Sequence, residues 1–425
     1  MNVQQKLAID GGAPVNSEGF PQWPKFSDEA IAAAVEPLKT GKVNYWTGEL
    51  GMKFEQAFAD WNGAKFGIST CNGTAALHTA LAGLGIGPGD EVITPSYTFI
   101  ASSFCICQAG AVPVFADVDP RGHTISAASI EEKISERTKA VIVVHLYGEV
   151  ADMGAIMEVA RRRGIKVVED CAQAHGATYN GKKVGTIGDI GAFSFCQSKT
   201  FTTGGEGGCV ITNDDNAAWI CRSFRDHGYD VAERLRLLEM EAKLPYIHNS
   251  LGFNFRLTEM QSAIGLKELE RLDSWNLANR RRNGEMLIGM LKDCPQILRL
   301  PIDTPERRNG FWLFPIIVDS EALTVDVKQV VAAITAEGIP CGPVLWPQCY
   351  KENVYQHNQG FGRLNYPFGD PNARKEAVDY TGNYCANAAW VESRCFFVPV
   401  HPTYEAPHVE MMGQAILKVL SAYAK

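Results

Sequence analysis

No stretch of this 425-residue chain is apolar for long enough to span a bilayer, which argues against a helical membrane protein. The opening residues Met1-Asn2-Val3-Gln4-Gln5-Lys6 lack the hydrophobic core of a secretory signal, so a cytoplasmic location is expected. Low-complexity tracts and internal repeats are absent. Positive charge is scarce: the net charge is -8, and no basic run exceeds Arg161-Arg162-Arg163 or Arg280-Arg281-Arg282. An acidic chain repels phosphate backbones, which disfavours nucleic-acid and anionic-membrane partners. Both arginine triplets read as solvated helix faces, or local anion contacts at most. The twelve cysteines follow no framework spacing, and Cys105 and Cys107 form only a C-x-C. Reduced thiols in a cytosolic core are expected, with no metal set.

What is present is ordinary for a globular protein: 46% hydrophobic and 21% charged residues. The length calls for two packed units. Residues 1–27 are rich in Gly and Pro and read as an extended arm that must lie against something. Helical patterns follow over 28–38 and 52–61. From residue 66 short β-rich runs (66–69, 91–94, 112–115, 140–144, 166–169, 191–195, 208–212) alternate with helical patterns such as 74–84, 130–134 and 153–163. That alternation predicts an α/β fold with a mostly parallel sheet, covered on both faces, whose ligand site gathers at the strands' carboxyl ends. A hairpin-like stretch, 193–212, interrupts the alternation. An amphipathic helix over 257–272 continues towards residue 290. Beyond it the pattern changes to a strand at 311–318, a helix at 325–337 and a strand at 339–344. A polar, aromatic, Gly-rich loop over 349–373 comes next, then a last helix, strand and helix. This reads as a smaller α+β unit of roughly 140 residues. The loop is either acceptor-binding material or a surface excursion.

Four segments at strand ends carry chemistry. Lys199 stands in Ser194-Phe195-Cys196-Gln197-Ser198-Lys199, just before a glycine cluster at 204–208. A lysine beside a turn is usually solvated. Here the glycines offer the tight backbone a cofactor needs, and Ser194 and Ser198 offer hydroxyls to a phosphate. Asp170, in Glu169-Asp170-Cys171-Ala172-Gln173-Ala174-His175-Gly176, is a loop cap or the partner of a ring nitrogen, with Gln173 and His175 available to flank that ring. Asn72-Gly73-Thr74-Ala75 is a capped helix start or a phosphate cradle, since both use the unpaired amides of a first turn. Phe99, in Pro95-Ser96-Tyr97-Thr98-Phe99, is core or a platform for a flat cofactor. An amine and an acid displayed this way suit pyridoxal phosphate. The amine can form a Schiff base, and the acid can hold the pyridine nitrogen protonated.

In this order, and with Phe20-Pro21-Gln22-Trp23-Pro24, His145-Leu146-Tyr147-Gly148, Arg225-Asp226-His227-Gly228, Gly252-Phe253-Asn254-Phe255-Arg256 and Val398-Pro399-Val400-His401-Pro402, the segments resemble the DegT/StrS-like sugar aminotransferases, a family of fold-type I pyridoxal-phosphate enzymes. The resemblance covers nearly the whole chain. It implies an arm (1–27), a large cofactor-binding domain (28–280) with a mostly parallel seven-stranded sheet, and a small C-terminal α+β domain (281–425). It makes Lys199 the Schiff-base lysine, Asp170 the pyridinium partner and Gln173 the contact to the ring hydroxyl. Thr74, Ala75 and Ser194 become phosphate ligands, and Phe99 the stacking aromatic. Asn254 reaches the phosphate of a second subunit, implying a homodimer with shared sites. Arg256, Trp46, Tyr147 and His227 are assigned to the substrates, Arg256 as a fork for the donor carboxylate.

Family members that replace the lysine with histidine are dehydratases, and the lysine here favours amino transfer from glutamate or glutamine. The implied acceptor is a keto sugar, nucleotide-linked or not, or a keto-cyclitol. Tyr45-Trp46-Thr47-Gly48-Glu49 resembles the cyclitol branch and the aminohydroxybenzoate synthases. Amino-sugar, cell-surface glycan or antibiotic biosynthesis is the expected setting. A pyridoxal-phosphate lyase or dehydratase is the alternative. A regulatory sensor on the same fold is disfavoured, because no spare basic segment exists for DNA.

Overall fold

The computed structural model describes residues 6–239 and 248–425. Its centre is a seven-stranded sheet in the spatial order Phe66–Thr70, Gly208–Thr212, Ile190–Ser194, Lys166–Asp170, Thr138–Val144, Glu91–Pro95, Val112–Ala116. The last five pair in parallel, while Gly208–Thr212 runs antiparallel to both neighbours. All seven expected strands form. Ala140-Val141-Ile142-Val143-Val144 is buried throughout, as a central parallel strand covered on both faces must be. Helices cover the sheet, and several start on side-chain caps: Asn72 for Gly73–Gly83, Asp152 for Met153–Arg163 and Asp214 for Asp215–Arg225. No described helix is long and apolar enough to cross a membrane, and none of the cysteines is paired.

A second, antiparallel sheet joins Ile297–Arg299, Leu313–Val318, Cys395–Pro399 and Gly342–Pro343. The strand expected over 339–344 shrinks to two residues there. The arm lies along this C-terminal layer. Glu337 accepts from the amides of Ala8 (2.9 Å) and Val15 (3.0 Å) and pairs with Lys418 at 2.8 Å, while Phe20 meets Tyr404 edge-on.

The long helix expected to continue to residue 290 is broken. Glu259–Glu270 opens with a capping box between Thr258 and Gln261 and gives way to one wide turn, Leu272–Leu277, before Ala278–Leu291. The wide turn re-aims the last helix, and Arg280 becomes fully buried rather than part of a solvated face.

The segment 349–373 is not cleft material. Tyr350, Tyr355 and Phe368 are buried with Phe115 and Tyr380. The Tyr366 and Tyr380 hydroxyls donate to the carbonyls of Gly110 and Pro113, both at 2.9 Å, along the edge strand Val112–Ala116. Its aromatics seal a sheet edge.

Candidate active site

The carboxyl ends of the parallel strands open into a cleft of about 750 Å³. The strand Lys166–Asp170 ends there in Asp170, and Ile190–Ser194 ends in Ser194. The loop that follows brings Lys199 to the same space. Asp170 is 5% exposed and accepts from Ser102 Oγ at 2.8 Å and from the Ala172 amide at 3.1 Å. Burial pushes its pKa up from the usual carboxylate value. Those two donors and the nearby Lys199 ammonium pull the other way.

Lys199 is the complement. Burial lowers its pKa to about 8, against a weaker opposing pull from the Asp170 carboxylate. Its Nζ lies 4.1 Å from the ring centre of Trp312, a cation–π contact that holds the charged form in an otherwise apolar wall. An amine with this basicity has an appreciable neutral fraction near pH 8, which nucleophilic attack on a carbonyl requires.

The helix Gly73–Gly83 points its first turn at the cleft. The Ala75 amide is taken by the Asn72 side chain at 2.8 Å, and Ala75 does not line the cleft. The amides of Gly73 and Thr74, at the cleft wall, are the ones without an intrahelical partner. Of the expected Thr74 and Ala75, Thr74 lines the cleft together with Gly73, while Ala75 stands behind them. A Cβ on Gly73 would stand 2.6 Å from Ser194 Cβ, so glycine keeps the space between helix start and serine open.

Gln173 lines the cleft, with its Oε1 held by the Tyr147 amide at 2.8 Å, which leaves its NH2 to donate inward. Phe99, 48% exposed at the rim, meets Trp346 edge-on at 5.5 Å. Trp23, Ser102, Trp312, Leu345, Trp346, Phe397 and His401 complete much of the wall. Sequence reasoning gave these no role. The indoles at 23 and 312 and the imidazole at 401, beside short motifs, were the available signals.

Four expected residues stand elsewhere. Asp226, with no exposed side-chain surface, accepts from Trp46 Nε1 and pairs with Arg256. Asn254 bridges to the Asp226 backbone, and the His227 amide donates to Phe253 O at 2.9 Å. Trp46, His227, Asn254 and Arg256 thus form one cluster of their own. It adjoins the cleft floor where the Cys71 amide donates to Phe255 O at 2.7 Å. Tyr147 is corrected outright as a surface for substrate. Its backbone turns at φ 60°, its ring is 1% exposed, and its hydroxyl meets that of Tyr97 at 3.0 Å. It supports the site from behind, through its amide on Gln173 and its ring against Trp312 and Phe397.

A buried acid, an amine of lowered basicity and a capped helix start thus share one cleft. Residues 24–375 match the DegT/DnrJ/EryC1/StrS aminotransferase family. The chain belongs to this family. It is 43% identical to a GDP-perosamine synthase of Caulobacter vibrioides over 71% of this chain and 78% of that one. It is 36% identical to an L-glutamine:2-deoxy-scyllo-inosose aminotransferase of Streptomyces kanamyceticus over 80% and 81%. A solved aminotransferase from Psychrobacter cryohalolentis superposes with a TM-score of 0.84 at 33% identity, over 95% of this chain and 99% of that one. DegT-family membership makes this chain an α/β aminotransferase and implies pyridoxal phosphate.

The residues present fit that group. Lys199 would hold its aldehyde carbon, Asp170 its ring nitrogen and the Gln173 amide its ring hydroxyl. The space that Gly73 leaves beside Ser194 would take its phosphate.

Proposed function

We propose that this enzyme transfers nitrogen from L-glutamate or L-glutamine to the ketone of a keto sugar or keto-cyclitol, with pyridoxal phosphate as carrier. One observation carries the reading: Lys199 and Asp170 are buried in the same cleft, each with its basicity displaced by burial and each partly restored by the other. When bound, the cofactor supplies a carbonyl that exchanges nitrogen and a ring that accepts electrons. Asp170 keeps a negative charge facing the ring nitrogen, steadied by Ser102. Lys199, the one strong base among the described residues that line the cleft, would carry the proton between reacting carbons. Trp312, whose ring centre lies 4.1 Å from Nζ, screens that amine from water.

The names of the two curated relatives place sugar and cyclitol acceptors within reach of this family branch. A cleft of about 750 Å³ with an aromatic rim at Phe99 and Trp346 has room for a cofactor and a ring-shaped acceptor. Among the described residues no arginine lines the cleft, so a donor carboxylate needs another source of positive charge. We assign it to Arg256 of a second copy, with Asn254 beside it, in a homodimer whose sites are shared. Leu251, 93% exposed, and Phe253, 44% exposed, lie on the same loop and would be covered there.

The test is direct. Full-length protein supplied with pyridoxal phosphate and reduced with borohydride is expected to carry the adduct on the Lys199 peptide, and Lys199→Ala to lose both adduct and turnover. L-glutamine or L-glutamate should release one 2-oxo acid per aminated product with 2-deoxy-scyllo-inosose as acceptor, and in the reverse direction GDP-perosamine should convert one 2-oxo acid to its amino acid. A Lys199→Ala protein with full turnover would overturn the assignment. An eliminating enzyme on this fold would give no aminated product, whatever 2-oxo acid it released.

A further inference from the structure

Three consecutive carbonyls frame the lysine, and each is held by a side chain from a different part of the chain. Ser198 O accepts from Trp312 Nε1 at 2.6 Å, Lys199 O from Trp23 Nε1 at 3.1 Å, and Thr200 O from Asn276 Nδ2 at 2.6 Å. Trp23 belongs to the arm, Asn276 to the wide turn Leu272–Leu277, and Trp312 precedes the strand Leu313–Val318.

One residue touches all three donors. Arg280 Nε donates to Asn276 Oδ1 at 2.9 Å, and Nη1 to the carbonyls of Phe311 and Trp312 at 3.3 and 3.2 Å. Its guanidinium lies 5.1 Å from the ring centre of Trp23. Arg280 is fully buried, and no carboxylate among the described residues pairs with it. A buried cation without a counter-ion is costly, and a neutral side chain would fill the same space at lower cost. What only arginine offers is a rigid fork of donors with a flat face.

We propose that Arg280 is a positioning residue: through Asn276, Trp312 and Trp23 it fixes the backbone of residues 198–200, so that the Lys199 amine is presented to the cofactor aldehyde from one place. The N-terminal arm is thereby a working part of the site, not packaging. With the three carbonyls pinned, only the lysine's own side-chain torsions remain to be ordered. Without them the loop samples other orientations, and attack on a carbonyl slows steeply with misplacement.

This inference rests on the pyridoxal-phosphate reading, and the experiment separates the two. The rate at which cofactor-free, full-length protein captures pyridoxal phosphate is followed by visible absorbance across pH 7–9, with the adduct fixed by borohydride and located on the Lys199 peptide. Thermal midpoints are measured in parallel. Trp23→Phe keeps a ring and removes one donor, and capture is expected to slow about five- to tenfold, the value of one hydrogen bond, with an unchanged midpoint. Arg280→Lys keeps the charge and loses the fork, and is expected to slow capture about a hundredfold. Capture at the wild-type rate in Trp23→Phe would overturn the proposal, as would slowing matched by a general loss of stability. Trp23→Phe decides the matter if the Arg280 variant does not fold. Failure of the wild-type protein to capture the cofactor at all would instead sink the proposed function.

Discussion

Arg225 and Arg280 are both fully buried, one against the edge strand Phe66–Thr70 and the other under the lysine loop, yet they are solvated in opposite ways. Arg225 pairs with Glu55, donates to Ser69 O at 3.1 Å and lies over the Tyr45 ring at 4.3 Å. The carboxylate holds its pKa above the usual arginine value, against the opposing effect of burial. Arg280 has only neutral acceptors, and burial lowers its basicity. Arg225 ties elements of the large sheet together with a compensated charge. Arg280 carries an uncompensated one at the place where the reactive amine is mounted. The difference shows how one residue type serves stability in one region and geometry in another.

The comparison can be broken, beginning with its largest effect. Glu55→Ala would leave Arg225 buried and unpaired, and an unfolding free-energy loss of about 3–5 kcal/mol is expected in a denaturant titration. Arg280→Met removes hydrogen bonds but also removes an unpaired buried cation. The two effects offset, so a change within about 1 kcal/mol is expected in the same titration, against a large loss of cofactor capture.

Lys199 sharpens the contrast through pH. Its folded-state pKa, about 8, lies below that of a free lysine. Above pH 8 the unfolded chain therefore binds the extra proton, and the cofactor-free protein should gain stability as pH rises. The slope is on the order of 1 kcal/mol per pH unit and should vanish in Lys199→Met. The smallest effect is expected far from both arginines. Leu364, 72% exposed, should tolerate Ser within about 0.5 kcal/mol.

Much of this architecture was legible in the chain. The seven strands announce themselves because β-branched runs such as 140–144 alternate with helical spacing. Lys199, Asp170 and Gly73 could be found because strand ends and glycine turns are local signals. The supports of Lys199 were not legible. Trp312 and Trp23 reach it across 114 and 176 residues, and nothing near them in sequence records the contact. Arg280 was hidden in a triplet that reads as solvated, because charge counts do not say which member a wide turn rotates inward. The aromatics of 349–373 left a binding loop and a surface excursion both open, and Tyr350, Tyr355, Tyr366 and Phe368 pack at the edge of a sheet. Trp46, His227 and Arg256 were expected at the substrates, and Asn254 at the phosphate of a second subunit. One chain gathers them around Asp226, next to the cleft and not inside it.

The treatment of the sheet's two margins has its own consequence. On one side the backbone of Ser69 is satisfied by Glu55 Oε1 at 2.9 Å and by Arg225. On the other, phenol groups cap the carbonyls of Gly110 and Pro113. At Ser69 and Pro113 a stray extended peptide would find backbone groups already taken, which blunts strand addition at both borders.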